Sequence, residues 1–310
     1  MINRVLIRTK VVQMLYSYML TKDGKTFSDA KDELNESLDK SYELYNMLLQ
    51  LMVDLTDLEE LRLDEAKHKF LPTDEDLHPN TRFVDNELVD ALRGIDALQN
   101  FLKENKLTWR NDDVFLRLML DKVRNSEEYK EYMAMPKTDF PSDCNVWRQL
   151  MKKVLLPDAD LLEQVESMSV YCTDEDLDIM GQFVVKTIRR IEDGAEQPIL
   201  PKYKDEEDST FGEQLFTKAF QLMDSNNKLI DSLVATDKWD TERLAFMDRL
   251  IMCIALAEIE SFVKIPVNVS LNEYIEIAKM FSTARSGQFV NGILNSAVKE
   301  LRQKGELIKK

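Results

Sequence analysis

Turn-forming residues are scarce in this chain. Eight glycines and eight prolines make up about 5% of the 310 residues, against roughly 12% in an average soluble protein. So few breakers argue against a β-sandwich, a barrel or a glycine-looped nucleotide fold, and for long helices. Histidine is scarcer still, with only His68 and His78, which argues against a Ser-His-Asp triad or a multi-histidine metal site. The three cysteines (Cys144, Cys172, Cys253) are odd in number and scattered, giving neither a disulfide framework nor a CxxC zinc pair. The longest uninterrupted apolar run, Leu250 to Ala257, has eight residues, and a membrane span needs roughly 20. The start, Met1-Ile-Asn-Arg-Val, has only a short apolar patch before Arg8, so no signal peptide is expected. These absences predict a soluble, cytoplasmic protein without contact to membranes.

Enzyme signatures are missing as well. There is no GxGxxG and no GxSxG. Gly287 and Gly292 have P-loop separation, but Ile-Leu follows where Lys-Ser/Thr would hold phosphate and magnesium. With 57 acids, carboxylate pairs at helical spacing carry no information. The expectation is a non-enzyme with no cofactor, no metal and no small-molecule substrate.

What is present is a core-forming composition, 44% hydrophobic and 32% charged, with a net charge of −16. Taken whole, that charge opposes nucleic-acid binding. Its distribution differs. Residues 1–22 hold Arg4, Arg8, Lys10 and Lys22 and no acid, and residues 283–310 hold six basic residues against Glu300 and Glu306. Each end is therefore +4. Two basic ends could form one patch on an acidic body, or could simply be solvated tails.

Apolar periodicity is helical throughout. Leu271, Tyr274, Ile275 and Ala278 repeat at the spacing of a buried helix face, and Phe289, Val290, Ile293, Leu294, Ala297, Val298 and Leu301 do so on a last helix from about Ser286. Ser270-Leu-Asn-Glu273 reads as a capping box opening a helix. Seven of the eight prolines fall between Pro72 and Pro201. The stretches 71–79, 135–141 and 197–201 are predicted connections. They set off a central acidic block, 71–205, from flanks at 1–70 and 206–310.

Two places carry candidate chemistry. Arg4 and Arg8 are i, i+4, so both guanidinium groups share a helix face, an arrangement suited to phosphate oxygens. Ala284-Arg-Ser-Gly-Gln-Phe-Val-Asn-Gly-Ile-Leu294 combines a helix N-terminus, an arginine, amides and an aromatic. That mixture suits single-stranded RNA. Equally, Phe289 can be core, Asn291 a local hydrogen-bonding residue and Gly292 a close helix contact.

At these residues the sequence resembles the transcription antitermination factor NusB family. Val12-Gln-Met-Leu-Tyr-Ser17 resembles its VQALYS start, and Ile254-Ala-Leu-Ala-Glu-Ile259 its IALYEL helix. Ile265 to Lys279 followed by Phe289-Val-Asn-Gly-Ile-Leu294 resembles its long C-terminal signature. The resemblance covers about residues 1–22 and 209–310. It implies an all-α, NusB-like helical bundle at 1–70 plus 206–310, with 71–205 as a helical insertion, either a protein-binding subdomain or a decoration. It implies RNA binding in transcription antitermination: the family pairs with NusE, a protein of the small ribosomal subunit. Together they hold boxA RNA and modify the elongating polymerase, chiefly on ribosomal RNA operons. Carried over by motif, the RNA-binding residues are Arg4, Arg8, Gln13, Arg285, Gln288 and Phe289, and the protein-partner contacts are Asp248 and Glu273. The capping box accounts for Glu273 as well. Two departures stand out. Val5, Leu6 and Ile7 thin the family's run of arginines, and Arg285 stands where an acid is familiar. The competing reading is a helical protein–protein adaptor that has lost RNA binding.

Overall fold

The computed structural model describes residues 2–236, 245–282 and 284–307. Lys309 and Lys310, counted above in the basic C-terminal segment, lie outside the described residues. In chain order the helices are α1 (Arg4–Thr21), α2 (Phe27–Lys67), α3 (Asp74–Leu77), α4 (Glu87–Arg93), α5 (Asp96–Glu104), α6 (Asp113–Asn125), α7 (Glu127–Ala134), α8 (Phe140–Leu150), α9 (Ala159–Met168), α10 (Asp174–Glu192), α11 (Glu206–Gln221), α12 (Met223–Thr236), α13 (Phe246–Ser261), α14 (Val267–Phe281) and α15 (Ala284–Gln303). No strand occurs among the described residues, so the fold is all-α. None of these helices is long and apolar enough to cross a membrane.

The chain divides into two compact units. A central unit comprises residues 39–202, and a terminal unit joins residues 2–38 to 203–310. The second boundary lies near the one read from the prolines. The first lies inside α2, at 38/39, rather than after residue 70. A breaker marks where a helix ends, and α2 runs 41 residues without one. Its neighbours change along its length while the helix continues.

The terminal unit is built around α13. Every residue from Leu250 to Ile259 is buried, Glu258 included. A helix apolar on all sides is stable only when covered on all sides, and α1, α11, α12, α14 and α15 pack against it. The buried stripe of α15 (Val290, Ile293, Leu294, Ala297, Val298, Leu301) is the one its periodicity predicts.

In the central unit, Trp147 is fully buried and its ring lies 5.2 Å from Phe83. Pro141 sits in the first turn of α8 rather than in a connection, because a helix N-terminus has no use for its missing N–H. Asp139 caps that turn. The stretch 71–79 likewise holds one turn of helix, α3, closed by a capping box from Thr73. At Gly181, α10 lies so close to Leu156 that a Cβ would collide with both of its methyl groups.

Candidate nucleic-acid interface

The first turn of α1 places Arg4 and Arg8 on one face, as their spacing predicts, but that face looks into the terminal unit. Both guanidinium groups lie over the ring of Phe211 on α11, at 5.1 and 5.4 Å. Arg4 Nε donates to Asp208 Oδ1 at 2.7 Å, and Glu207 lies 3.7 Å away. Its side chain keeps 31% exposure.

Arg8 is enclosed. Its side chain is 3% exposed and that of its partner Glu258 is 0% exposed. Nε donates to Glu258 Oε2 at 2.8 Å and Nη2 to Oε1 at 2.9 Å, a bidentate pair. Ser270 Oγ donates to the same carboxylate at 2.7 Å and Tyr274 Oη at 3.0 Å. Burial alone would pull the Arg8 pKa down; hydrogen bonding and the charge of Glu258 more than offset it, leaving the pKa raised. Burial and the Glu258 charge push the Tyr274 phenol well above its ordinary value, so it stays a donor. Two buried ions with every oxygen engaged form a structural lock. Arg8 is therefore corrected from phosphate ligand to core residue: no phosphate reaches it without breaking the pair.

The same network corrects the capping box. Helix α14 begins at Val267, after Pro266, so Ser270 lies inside the helix. Its hydroxyl serves Glu258 rather than a free N–H. Glu273 is half-buried one turn on. Asp248, in the first turn of α13, is only 6% exposed and offers a partner little surface.

The start of α15 presents a different picture. Arg285 and Gln288 are exposed and Phe289 is half-buried. Ser282 and Ser286 share a hydroxyl hydrogen bond of 2.8 Å across the α14–α15 corner. At Gly287 a Cβ would lie 2.7 Å from Cγ of Lys279 on α14, so any larger residue there displaces that exposed side chain. Gly292 is not a close helix contact, since nothing lies within 4 Å of where its Cβ would be. Gln13 on α1 is half-buried, three residues before Tyr16, whose ring lies 5.5 Å from Phe246.

The structure thus brings Arg4 and Arg8 together around Phe211, and Arg285, Gln288 and Phe289 together on the first turns of α15. The two sets stand on helices that each pack against α13. Nothing in the sequence reading pairs Glu258, Ser270 and Tyr274 with Arg8. The available signal was an acid directly after the apolar run 250–257.

Part of the chain is similar to known proteins. Residues 177–299 match the model of the NusB family. The match leaves out residues 1–22, where the resemblance read from the sequence begins, and takes in 177–208, where none was read. The transcription antitermination protein NusB of Salinibacter ruber is 38% identical over 107 residues, covering 34% of this chain and 66% of the relative. That of Chloroherpeton thalassium is 45% identical over 82 residues, 26% of this chain and 39% of the relative. That of Koribacter versatilis is 40% identical over 97 residues, 31% and 65% respectively. The chain thus spans less than two thirds of the length of each of these relatives. No solved structure matches. The matched helices, from α10 through α15, include the buried helix, the α14–α15 corner and the exposed start of α15 described above, and it is this stretch, residues 177–299, that matches the NusB family model.

Proposed function

We propose that this protein is an RNA-binding transcription antitermination factor. In this reading it binds boxA-like nascent RNA together with a NusE-type ribosomal protein and modifies the elongating polymerase, mainly on ribosomal RNA operons. The observation that carries the reading is the start of α15 inside the matched stretch. There an exposed arginine, an exposed amide and a half-buried ring share the first turns of a helix. Cation, amide and aromatic face are the parts that single-stranded RNA uses. The relatives' name, transcription antitermination protein NusB, supports the same role. Within the site, Arg285, Gln288 and Phe289 are the principal contacts, Gln13 a secondary one, and Arg4 a phosphate contact only if it leaves Asp208. Glu273 is the partner contact with more surface to offer.

A protein–protein adaptor is the second reading. It draws support from the net charge of −16 and from the internal pairing of both α1 arginines. An electrophoretic shift of boxA-like and scrambled RNA, with and without the NusE-type protein, separates the two. Selective retardation of boxA-like RNA is expected. Association with the NusE-type protein and no RNA retardation would leave the adaptor.

A further inference from the structure

Helix α15 has a second exposed feature beyond its N-terminal turns. Arg285, Gln288, Gly292, Asn295, Lys299 and Arg302 are spaced 3, 4, 3, 4 and 3 residues apart and are all exposed. Alternating steps of three and four keep residues on one line along a helix. The line runs over 17 residue steps, about 25 Å at 1.5 Å per residue. It contains three cations, two amides and no acid, on a chain with net charge −16. None of the three cations has a carboxylate partner among the described residues, whereas Lys304 beside them is paired with Glu300.

Gly292 supplies an independent observation. It sits in the middle of a 20-residue helix, where glycine is the least favourable residue after proline. Packing does not require it, because the space beside it is open. Its φ is not in the left-handed region, so conformation does not require it either. A glycine that neither packing nor backbone demands leaves a flat place at the centre of the polar line, where another backbone can approach closely.

We infer that this stripe is a track for the phosphodiester backbone of single-stranded RNA. It would carry the strand from the α15 N-terminus past Gly292 to Lys299 and Arg302. The inference rests on the RNA reading above and extends it to residues outside the recognised motif. Lys299 and Arg302 neutralise phosphates, Gln288 offers its amide and Asn295, whose Nδ2 donates to Asn291, its Oδ1 to sugar or base edges, and Gly292 admits the strand.

The test uses the full chain and two unstructured RNAs of the same 5′ sequence, about four and about sixteen nucleotides long. Anisotropy is measured across a salt series. Wild type should bind the longer RNA with the steeper log–log salt slope. Lys299→Gln with Arg302→Gln should make that slope shallower by about 1.4, at roughly 0.7 per lost phosphate contact, and should leave the short RNA unaffected. Gly292→Leu should weaken the longer RNA while its melting temperature holds or rises, since leucine is the better helix former. An unchanged slope in the double variant, or wild-type affinity in Gly292→Leu, overturns the track while leaving the α15 start intact. If the double variant instead loses only the NusE-type protein, the stripe is a protein-docking face and the inference falls. Wild type that binds neither RNA overturns the RNA reading and the track together.

Discussion

Arg8 and Glu258 are 250 residues apart in sequence and joined by two hydrogen bonds of 2.8 and 2.9 Å with both side chains out of solvent. The pair ties α1 to the central helix of the terminal unit. Removing one partner strands a buried charge, which is far more damaging than removing both. Arg8→Met should therefore destabilise the protein by roughly 3–5 kcal/mol. Arg8→Met combined with Glu258→Leu should recover part of that loss. Thermal melting of the two variants, followed by circular dichroism, checks this. If the single variant melts with wild type, the pair contributes no stability.

Buried thiols make a second expectation. Burial pushes Cys253 up from an ordinary 9.0 to about 12, with nearby Arg249 pulling it partly back. The folded state holds the proton more tightly than the unfolded chain. Its contribution to stability is thus complete below pH 9 and declines as pH rises through about 12. Cys253→Ala should flatten the fall of melting temperature above pH 9. Alkylation at pH 8 should leave Cys253 unmodified until denaturant is added; labelling of the native protein would show that the site opens.

Close approach of α10 to Leu156 predicts a third. Gly181→Val places side-chain atoms where the Leu156 methyls stand. Such overpacking should destabilise by about 1–3 kcal/mol. Truncating the neighbour in the same chain, Leu156→Ala, should restore most of it, so the double variant is the discriminating measurement. Equal losses in single and double variants would locate the strain elsewhere.

The half-buried ring of Phe289 separates stacking from packing. Phe289→Ala should cost about 1–3 kcal/mol of RNA binding and leave the salt slope unchanged, since stacking releases no counterions. Melting should fall by less than the roughly 3–5 kcal/mol typical of a fully buried ring. A full-sized stability loss, with binding restored at a temperature where the variant is folded, would make the residue core and nothing more.

The sequence carried the helical architecture well, because apolar spacing is a direct record of which face is buried. The inward stripe of α15 was readable residue by residue. Direction was harder. The i, i+4 spacing of Arg4 and Arg8 told that they share a face, but not that the face meets Phe211 and Glu258; such partners lie too far along the chain for any local pattern to register. Ser270 and Glu273 satisfy the capping-box pattern, yet Pro266 starts the helix earlier and a buried carboxylate claims the hydroxyl. The division of the chain inside α2 left no local mark, since the helix itself continues through it. The polar stripe of α15 is equally local, because residues at alternating steps of three and four share a helix face whether they are apolar or polar.

The division inside α2 has a consequence for synthesis on the ribosome. The central unit is one continuous stretch, residues 39–202, and can complete its contacts as soon as it has emerged. The terminal unit cannot. Its first segment, with α1 and Arg8, is made earliest, while Glu258 and the helices that cover α1 arrive only with residues 203–310. At about 5–20 residues per second, that is a wait of roughly 5–20 s after the central unit is finished. During it the apolar face of α1, with Leu6, Ile7, Val11 and Leu15, lacks the helices that will bury it. The speed of translation through residues 203–310 therefore sets how long that face of α1 stays uncovered.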